Sequence, residues 1–432
     1  MTQIGVGILG FGTVGAGVAA GLMNNRAPLA ERTGIDIVLC KIADLDITTD
    51  RGVPVPDGLL TTDAMSVIND PNVHVIVELI GGCGIAKKFV CAALTAGKPV
   101  VTANKKLLAE HGAEIFALAA EKGVDIFFGA AVGGGIPIIR ALRDGLVGNR
   151  IESIYGILNG TCNYILTTME KEGLPFDEVL ANAQKLGFAE ADPTLDVDGF
   201  DTLHKASILA AIAYGISPDV HTLPVEGIRT LVEAEDIRFA GELGYRIKLL
   251  AIIKSEANGV EIRVAPTLVP KNGMLGSVSG VFNAALVKSD LADKTLYYGR
   301  GAGRMPTAST VIGDIADIAR SFASNATCRI AIPKTNGTVR IKSKGEIISR
   351  YYVRLALADN AGSLAAVSGV FAKNEVSIST VLQKSMPEEE PGLATVVFLT
   401  HKAKRADVDA ALLELSTLSC CGSMPRLLGI ED

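Results

Sequence analysis

The chain contains no Cys-x-x-Cys pair. Its seven cysteines, at positions 40, 83, 91, 162, 328, 420 and 421, show no metal-ligand spacing, and none of the five histidines shows any either. Local zinc and thioredoxin-type motifs are therefore absent. The odd cysteine count argues against a secreted disulfide framework, so a reducing cytoplasm is the expected compartment. The adjacent Cys420 and Cys421 read as ordinary small residues rather than a redox pair. Basic residues are not in excess: 41 Lys and Arg against 47 Asp and Glu leave a net charge of −6, which points away from nucleic acid and anionic membranes as partners. No apolar run is long. The longest, near 206–216, is about half the roughly 20 residues a membrane span needs. The N-terminal "MTQIGVGILGFG" lacks a basic n-region and turns glycine-rich at once, which is not a signal-peptide pattern. Long repeats and low-complexity segments are also missing.

What remains is the composition of a globular protein large enough for two or three domains. It has 432 residues, 48% apolar and 20% charged, with 46 glycines that cluster rather than form linkers. Apolar runs at 4–10, 35–43, 73–80, 98–103 and 124–132 read as strands buried on both faces. Between several of them lie helical patterns, such as 85–97 and 105–123, each closed by a glycine. Strands alternating with helices predict a doubly wound parallel sheet. From about 135 to 320 longer β-like stretches, such as 246–269, mix with helices and predict an α+β domain. A polar stretch at 334–347 precedes a tail whose order from 350 to 432 is β-α-β-β-α-β, of the ferredoxin-like type, with an acidic, proline-bearing loop "PEEEPG" inside it.

"GFGTVG" places Gly10, Gly12 and Gly15 in G-x-G-x-x-G spacing, directly after a strand and at the start of a helix. Gly10 permits the tight turn, Gly12 the approach of a pyrophosphate, and Gly15 close packing of helix on strand. The N–H groups of the helix start, with Thr13 and Val14, would face the phosphates. A bare structural turn is the competing reading. Asp44 ends the second strand, where an acid meets the adenosine ribose 2′-hydroxyl and repels a 2′-phosphate. No arginine follows until Arg51, and Lys41 lies within the strand, so NAD is expected over NADP.

A third feature is "GFDTLHKASILAAIAYG" (199–215), in which Asp201 and Lys205 share one helical face ahead of an apolar run. Spacing alone allows a solvated ion pair there. The segments "GFGTVG", "VELIGG", "GKPVVTANKKLL", "VGGGIPII", "NGTCNYIL", "GFAEADPTLDVDGFDTLHKASILA" and "GAGRMPTAS" occur in order over about 300 residues. Together they resemble the homoserine dehydrogenase family, in its bacterial form with a C-terminal ACT regulatory domain. The resemblance implies a Rossmann domain at 1–132, a catalytic and dimerisation domain at 133–333 whose last helices pack back on the first, a linker at 334–349 and an ACT domain at 350–432. It implies interconversion of L-homoserine and L-aspartate 4-semialdehyde with a nicotinamide cofactor, in a homodimer or homotetramer.

By the same resemblance Lys205 is the catalytic lysine and Lys105 a second lysine at the cofactor–substrate junction. Glu190, Asp201 and Thr161 are the substrate contacts. Gly187 and Gly303 are cofactor-side contacts. Backbone carbonyls of Gly129, Val132, Gly134 and Ile136 would hold a sodium ion. Cys162 stands where relatives often have threonine, and Ala43–Asp44 where NADP-using relatives often have arginine. In the tail, Asn360 and Gly362 match the turn where an amino-acid effector docks, L-threonine being the one implied, although Ala361 replaces the usual proline; a dimerisation or tethering module without a ligand is the competing reading. For Glu190 the competing reading is a solvated loop acid beside Asp192–Pro193. His204 lies off the Asp201–Lys205 stripe and reads as a packing or surface residue. The competing functions are another reductase of amino-acid aldehydes and a catalytically silent NAD-binding amino-acid sensor.

Overall fold

The computed structural model describes residues 2–324, 326, 339–384, 392–422 and 424–432. Cys328, the start of the expected linker at 334–338, and most of the "PEEEPG" loop lie outside the described residues.

The N-terminal alternation forms strands β1 (Thr2–Leu9), β2 (Ile35–Ala43), β3 (Leu60–Thr61), β4 (Val75–Glu78), β5 (Val100–Thr102) and β6 (Ile126–Phe127). Helices α1 (Thr13–Asn24), α2 (Arg26–Thr33), α3 (Ala64–Ile68), α4 (Gly84–Thr95) and α5 (Lys105–Lys122) connect them. The strands pair in parallel in the order β3-β2-β1-β4-β5-β6. This is the expected doubly wound arrangement. One expectation fails: the apolar run 124–132 is a strand only over Ile126–Phe127, after which Gly129–Ala131 form a 3₁₀ turn. The turn is buried, yet its Gly129 N–H donates to the Asp314 carboxylate at 2.8 Å. A buried apolar run therefore need not be extended when a distant side chain satisfies its backbone.

Next come α6 (Ile138–Arg140), β7 (Ile151–Ile157), α7 (Gly160–Glu172), α8 (Phe176–Lys185), α9 (Thr194–Val197), α10 (Phe200–Tyr214) and α11 (Ala234–Glu242). The predicted β stretch at 246–269 is a hairpin of β8 (Tyr245–Glu256) and β9 (Gly259–Pro270). A second hairpin, β10 (Phe282–Ser289) and β11 (Asp293–Arg300), leads into α12 (Arg304–Ala323). The tail contains β12 (Ile348–Ala358), α13 (Ser363–Lys373), β13 (Ile378–Lys384), β14 (Leu393–Thr400), the short β15 (Ala403–Lys404), α14 (Arg405–Leu415) and β16 (Arg426–Ile430).

These elements form two compact units, neither of them one continuous stretch of chain. The first comprises Met1–Ile151, His204–His221 and Asn283–Val339. Its core joins β1, β2 and α1 to Ala308, Val311, Ile315 and Ile318 of α12. Glycine makes that contact possible: a Cβ on Gly17 would lie 2.9 Å from the Arg304 carbonyl oxygen, and one on Gly21 2.4 Å from Ile312 Cδ1. The second unit comprises Glu152–Leu203, Thr222–Phe282 and Arg340–Asp432. Its strands run β7-β8-β9-β16-β12-β14-β13. Within the tail the order β16-β12-β14-β13 is antiparallel, as the ferredoxin-like expectation requires. The tail is also continuous with the hairpin, because Gly429 and Ile430 pair in parallel with Thr267 and Leu268.

Candidate active site

In the first unit the glycine-rich turn has the geometry that a dinucleotide needs. Gly10 has φ +103°, and a Cβ there would meet the Leu79 carbonyl at 2.7 Å. A Cβ on Gly15 would lie 2.0 Å from the Gly10 carbonyl oxygen, so only glycine lets α1 start so near β1. Above Gly12 the space is open, with no heavy atom within 4 Å of a Cβ position. Gly12 is also the N-cap of α1, so no side chain caps the first N–H groups, those of Thr13 and Val14 among them. The cradle thus fits a pyrophosphate at a helix N-terminus.

Asp44 is half-buried beside this turn, where its Oδ2 accepts the Phe11 N–H at 2.5 Å and its Oδ1 the Asp46 N–H at 2.9 Å. The carboxylate therefore positions the glycine turn and keeps lone pairs for a hydroxyl. Arg51 pairs with Asp46 at 2.8 Å instead of approaching Asp44. Lys105 is half-buried as the first residue of α5, and the Asn104 side chain caps that helix by accepting the Leu107 N–H at 3.1 Å. The same Asn104 side chain donates to the Gly82 carbonyl at 2.6 Å.

Sequence reasoning overlooked Glu78, at the end of β4. Fully buried, it accepts from Thr102 Oγ1 at 2.6 Å and from the Ile80 and Gly81 N–H groups at 2.8 and 3.2 Å. Its signal was an acid closing an apolar strand in "VELIGG". Asp314 was overlooked as well, a lone acid on the apolar face of α12. Burial pushes its carboxyl up to about 7, against the opposing pull of the Gly129 N–H. In the 129–136 loop, Gly134 O already accepts from Thr310 Oγ1 at 2.7 Å and Ile136 O from the Ile138 N–H at 2.8 Å. Each keeps one lone pair. Gly129 belongs to the 3₁₀ turn, and Val132 directly follows it.

Helix α10 carries Asp201 and Lys205 one turn apart, only 6% and 8% exposed. This burial rules out the solvated ion pair that spacing alone had allowed. In the second unit Asn159 Nδ2 donates to Asp201 Oδ2 at 2.9 Å and to Asp196 Oδ1 at 2.7 Å, while Asn159 Oδ1 caps α7 by accepting the Cys162 N–H at 2.8 Å. The "NGTCNY" turn and the "DxxxK" helix are thereby joined. Thr161 Oγ1 donates to the Phe188 carbonyl at 2.7 Å. Asn163, two residues on, accepts from Lys248 Nζ at 3.0 Å. Burial pulls this lysine down to about 8, an interior cation whose only signal was its place inside the apolar run of β8. Glu190 is exposed, and its backbone carbonyl accepts from Gln184 Nε2 at 3.0 Å. Gly187, at φ +74°, follows the last turn of α8, and Gly303, at φ +116°, precedes α12. In the tail Asn360 and Gly362 are exposed at the start of α13, with Asn360 Oδ1 accepting from Ser363 Oγ at 2.8 Å. His204 is half-buried.

Comparison with known proteins agrees with this geometry. The family model for "Homoserine dehydrogenase, NAD binding domain" matches residues 10–129, and that for "Homoserine dehydrogenase" residues 137–316. A homoserine dehydrogenase of Neisseria gonorrhoeae is 43% identical over 436 residues, covering 100% of this chain and 99% of that one. The chain belongs to the homoserine dehydrogenase family. It is an oxidoreductase that exchanges a hydride between homoserine and a nicotinamide cofactor. The Bacillus subtilis homoserine dehydrogenase is 39% identical, covering 100% of this chain and 99% of its own. Among solved structures, that of the Thiobacillus denitrificans homoserine dehydrogenase has a TM-score of 0.94 at 42% identity, covering 100% of this chain and 99% of that chain. A hyperthermophilic archaeal homoserine dehydrogenase solved with NADPH has a TM-score of 0.63 at 28% identity, over 74% of this chain and 98% of that one. No helix among the described residues is long and apolar enough to cross a membrane.

Proposed function

We propose that Lys205 moves the proton that accompanies hydride transfer in this homoserine dehydrogenase, with Asp201 and Glu190 anchoring the amino acid. The observation that carries this reading is the burial of Asp201 and Lys205 on the first two turns of α10, with Asn159 fixing the aspartate. A buried ammonium can give a proton to the substrate oxygen during reduction and recover it during oxidation. Lys105, at the start of α5, supports the developing charge on that oxygen. Thr161 shapes the substrate side through its turn. The bound nicotinamide supplies or accepts the hydride. Gly10, Gly12, Thr13, Val14 and Gly15 would hold the pyrophosphate and Asp44 the ribose, with Lys105, Gly187 and Gly303 on the cofactor's flanks. Lys205→Ala should lower kcat by about 10³-fold or more while NAD still binds; near-normal turnover would remove Lys205 from the reaction.

NAD is the preferred cofactor on this reading, because Asp44 would repel a 2′-phosphate and Arg51 is engaged by Asp46. The NADPH bound by the archaeal relative makes the comparison of kcat/KM for the two cofactors decisive. A sodium ion on the carbonyls of Gly129, Val132, Gly134 and Ile136 belongs to the same proposal. So do the contiguous boundaries at 132, 333 and 349, a homodimer or homotetramer, and a cytoplasmic location. The tail is read as an ACT domain, supported by its β-α-β-β-α-β order, and L-threonine is its proposed effector at Asn360 and Gly362. Deleting 350–432 is a poor test, since Arg354 and Arg405 pair with Asp236 and Glu226. Asn360→Ala, assayed with threonine at sub-saturating homoserine, is the better one. Inhibition that the variant loses supports sensing, and indifference of the unaltered enzyme to threonine removes it.

A further inference from the structure

The sequence has no local metal motif, yet the fold of the first unit assembles one from two elements. Cys83 precedes α4 as its N-cap, and Glu110 and His111 are neighbours on α5. One ligand atom from each, the Cys83 Sγ, a Glu110 carboxylate oxygen and a His111 ring nitrogen, lies within 4.8 Å of the other two. The Cys83 thiol donates to Glu110 Oε2 at 3.3 Å. A tetrahedral site with metal–sulfur and metal–oxygen bonds of ordinary length has a sulfur–oxygen edge of about 3.6 Å, so this pair already stands near that spacing. All three residues are half-buried, which leaves solvent access for an ion.

We propose that Cys83, Glu110 and His111 form a binding site for a borderline-soft divalent cation of the zinc class, with water in the fourth position. The donor set of one thiolate, one imidazole and one carboxylate suits zinc and cobalt better than magnesium or calcium. The surrounding charges agree. Lys106 Nζ is 3.8 Å from Glu110 Oε1 on an exposed stem and can swing away, while Lys87 is occupied by Glu114 at 2.6 Å. Without a metal the Cys83 thiol keeps its proton, held toward the Glu110 carboxylate, and the carboxylate keeps its charge. A divalent ion reverses both effects, expelling the thiol proton and neutralising the carboxylate, and the N-terminus of α4 also favours the thiolate. Bound there, the ion would tie the Gly81–Gly82–Cys83 segment to α5, in addition to the hydrogen bond from Asn104 to the Gly82 carbonyl. That segment follows β4 at the carboxyl edge of the parallel sheet, the edge at which nucleotides bind.

The test is a Co²⁺ titration of the full-length, fully reduced chain in the absence of cofactor. One equivalent should bind with a thiolate-to-cobalt charge-transfer band and release about one proton at pH 8. Cys83→Ser should abolish both signals and weaken Co²⁺ binding by at least about 100-fold, while His111→Gln should keep the band and weaken binding about 10- to 100-fold. Cys420→Ser/Cys421→Ser should behave as the unaltered chain does. Thermal midpoints within a degree or two of the parent will show that each variant is folded. A band that survives in Cys83→Ser, binding in His111→Gln equal to the parent, or titration of the parent without proton release would overturn the site.

Discussion

The two sheets bury charge in different places. In the first unit, strands β1, β2, β4 and β5 contribute apolar residues to the core, and Glu78 stands only at the end of β4. In the second unit charges sit inside the strands: Lys248 in β8 and Glu261 and Arg263 in β9 are buried, and Arg354 in β12 is half-buried. A parallel sheet with helices on both faces has room for little but apolar side chains. The mixed sheet has another task, because it attaches a tail that arrives late in the chain. Arg354 Nε meets Asp236 Oδ1 at 2.6 Å and Tyr352 donates to the same oxygen at 3.0 Å, while Glu431 Oε1 accepts from Lys254 at 2.6 Å and from Arg263 at 2.8 Å. Apolar area drives burial without choosing a register; oriented ion pairs select one docking geometry and cost desolvation for doing so.

The sharpest way to break this contrast is to remove the buried acid that the tail's charge meets. Asp236→Ala strips a fully buried acceptor from Tyr352 and Arg354, leaving the arginine with Glu233 and Glu235, and should cost about 3 kcal/mol, read as a lowered urea midpoint. A comparable change in the first unit should strike binding before stability. Gly15→Val drives a side chain into the Gly10 carbonyl and should weaken NAD binding roughly 100-fold, measured by calorimetry. Smaller effects should appear as opposite pH slopes. Asp314 titrates near 7 when folded, above the ordinary carboxylate value of about 4. Its contribution to stability is therefore full below pH ~4 and is lost as pH rises toward 7. Lys248 titrates near 8 when folded, below its ordinary 10.5. Its penalty stands in full below pH ~8 and is relieved as pH rises toward 10. Asp314→Asn should flatten the falling slope and Lys248→Met the rising one, in urea unfolding followed from pH 4 to 10. If both variants keep the parent's slopes, these two groups do not govern the pH response.

Much of the nucleotide half was legible because its signals are local. The glycine spacing, the strand before it and Asp44 after the second strand lie within about forty residues, and backbone sterics leave few alternatives. The run 124–132 reads as extended from its apolar pattern alone, while the group that bends it, Asp314, lies 185 residues away. The spacing in 199–215 predicts the helix that α10 is, yet whether its two charges face solvent or interior depends on what packs around it. Asn159, 42 residues earlier, decides where Asp201 points. The Cys83, Glu110 and His111 cluster was invisible for the same reason, as its members are unremarkable until α4 and α5 lie side by side.

By itself the sequence determined the order of elements, the dinucleotide cradle and the family motifs, since each rests on short-range periodicity and on backbone conformations that glycine alone adopts readily. Only the tertiary structure decided which charges are buried. It also decided that the tail shares a sheet with a hairpin some 160 residues earlier in the chain, through the pairing of Gly429 with Thr267. The physical reason is that burial and ion pairing are properties of neighbours in space, and one sequence of charges is consistent with many sets of neighbours until the chain has folded.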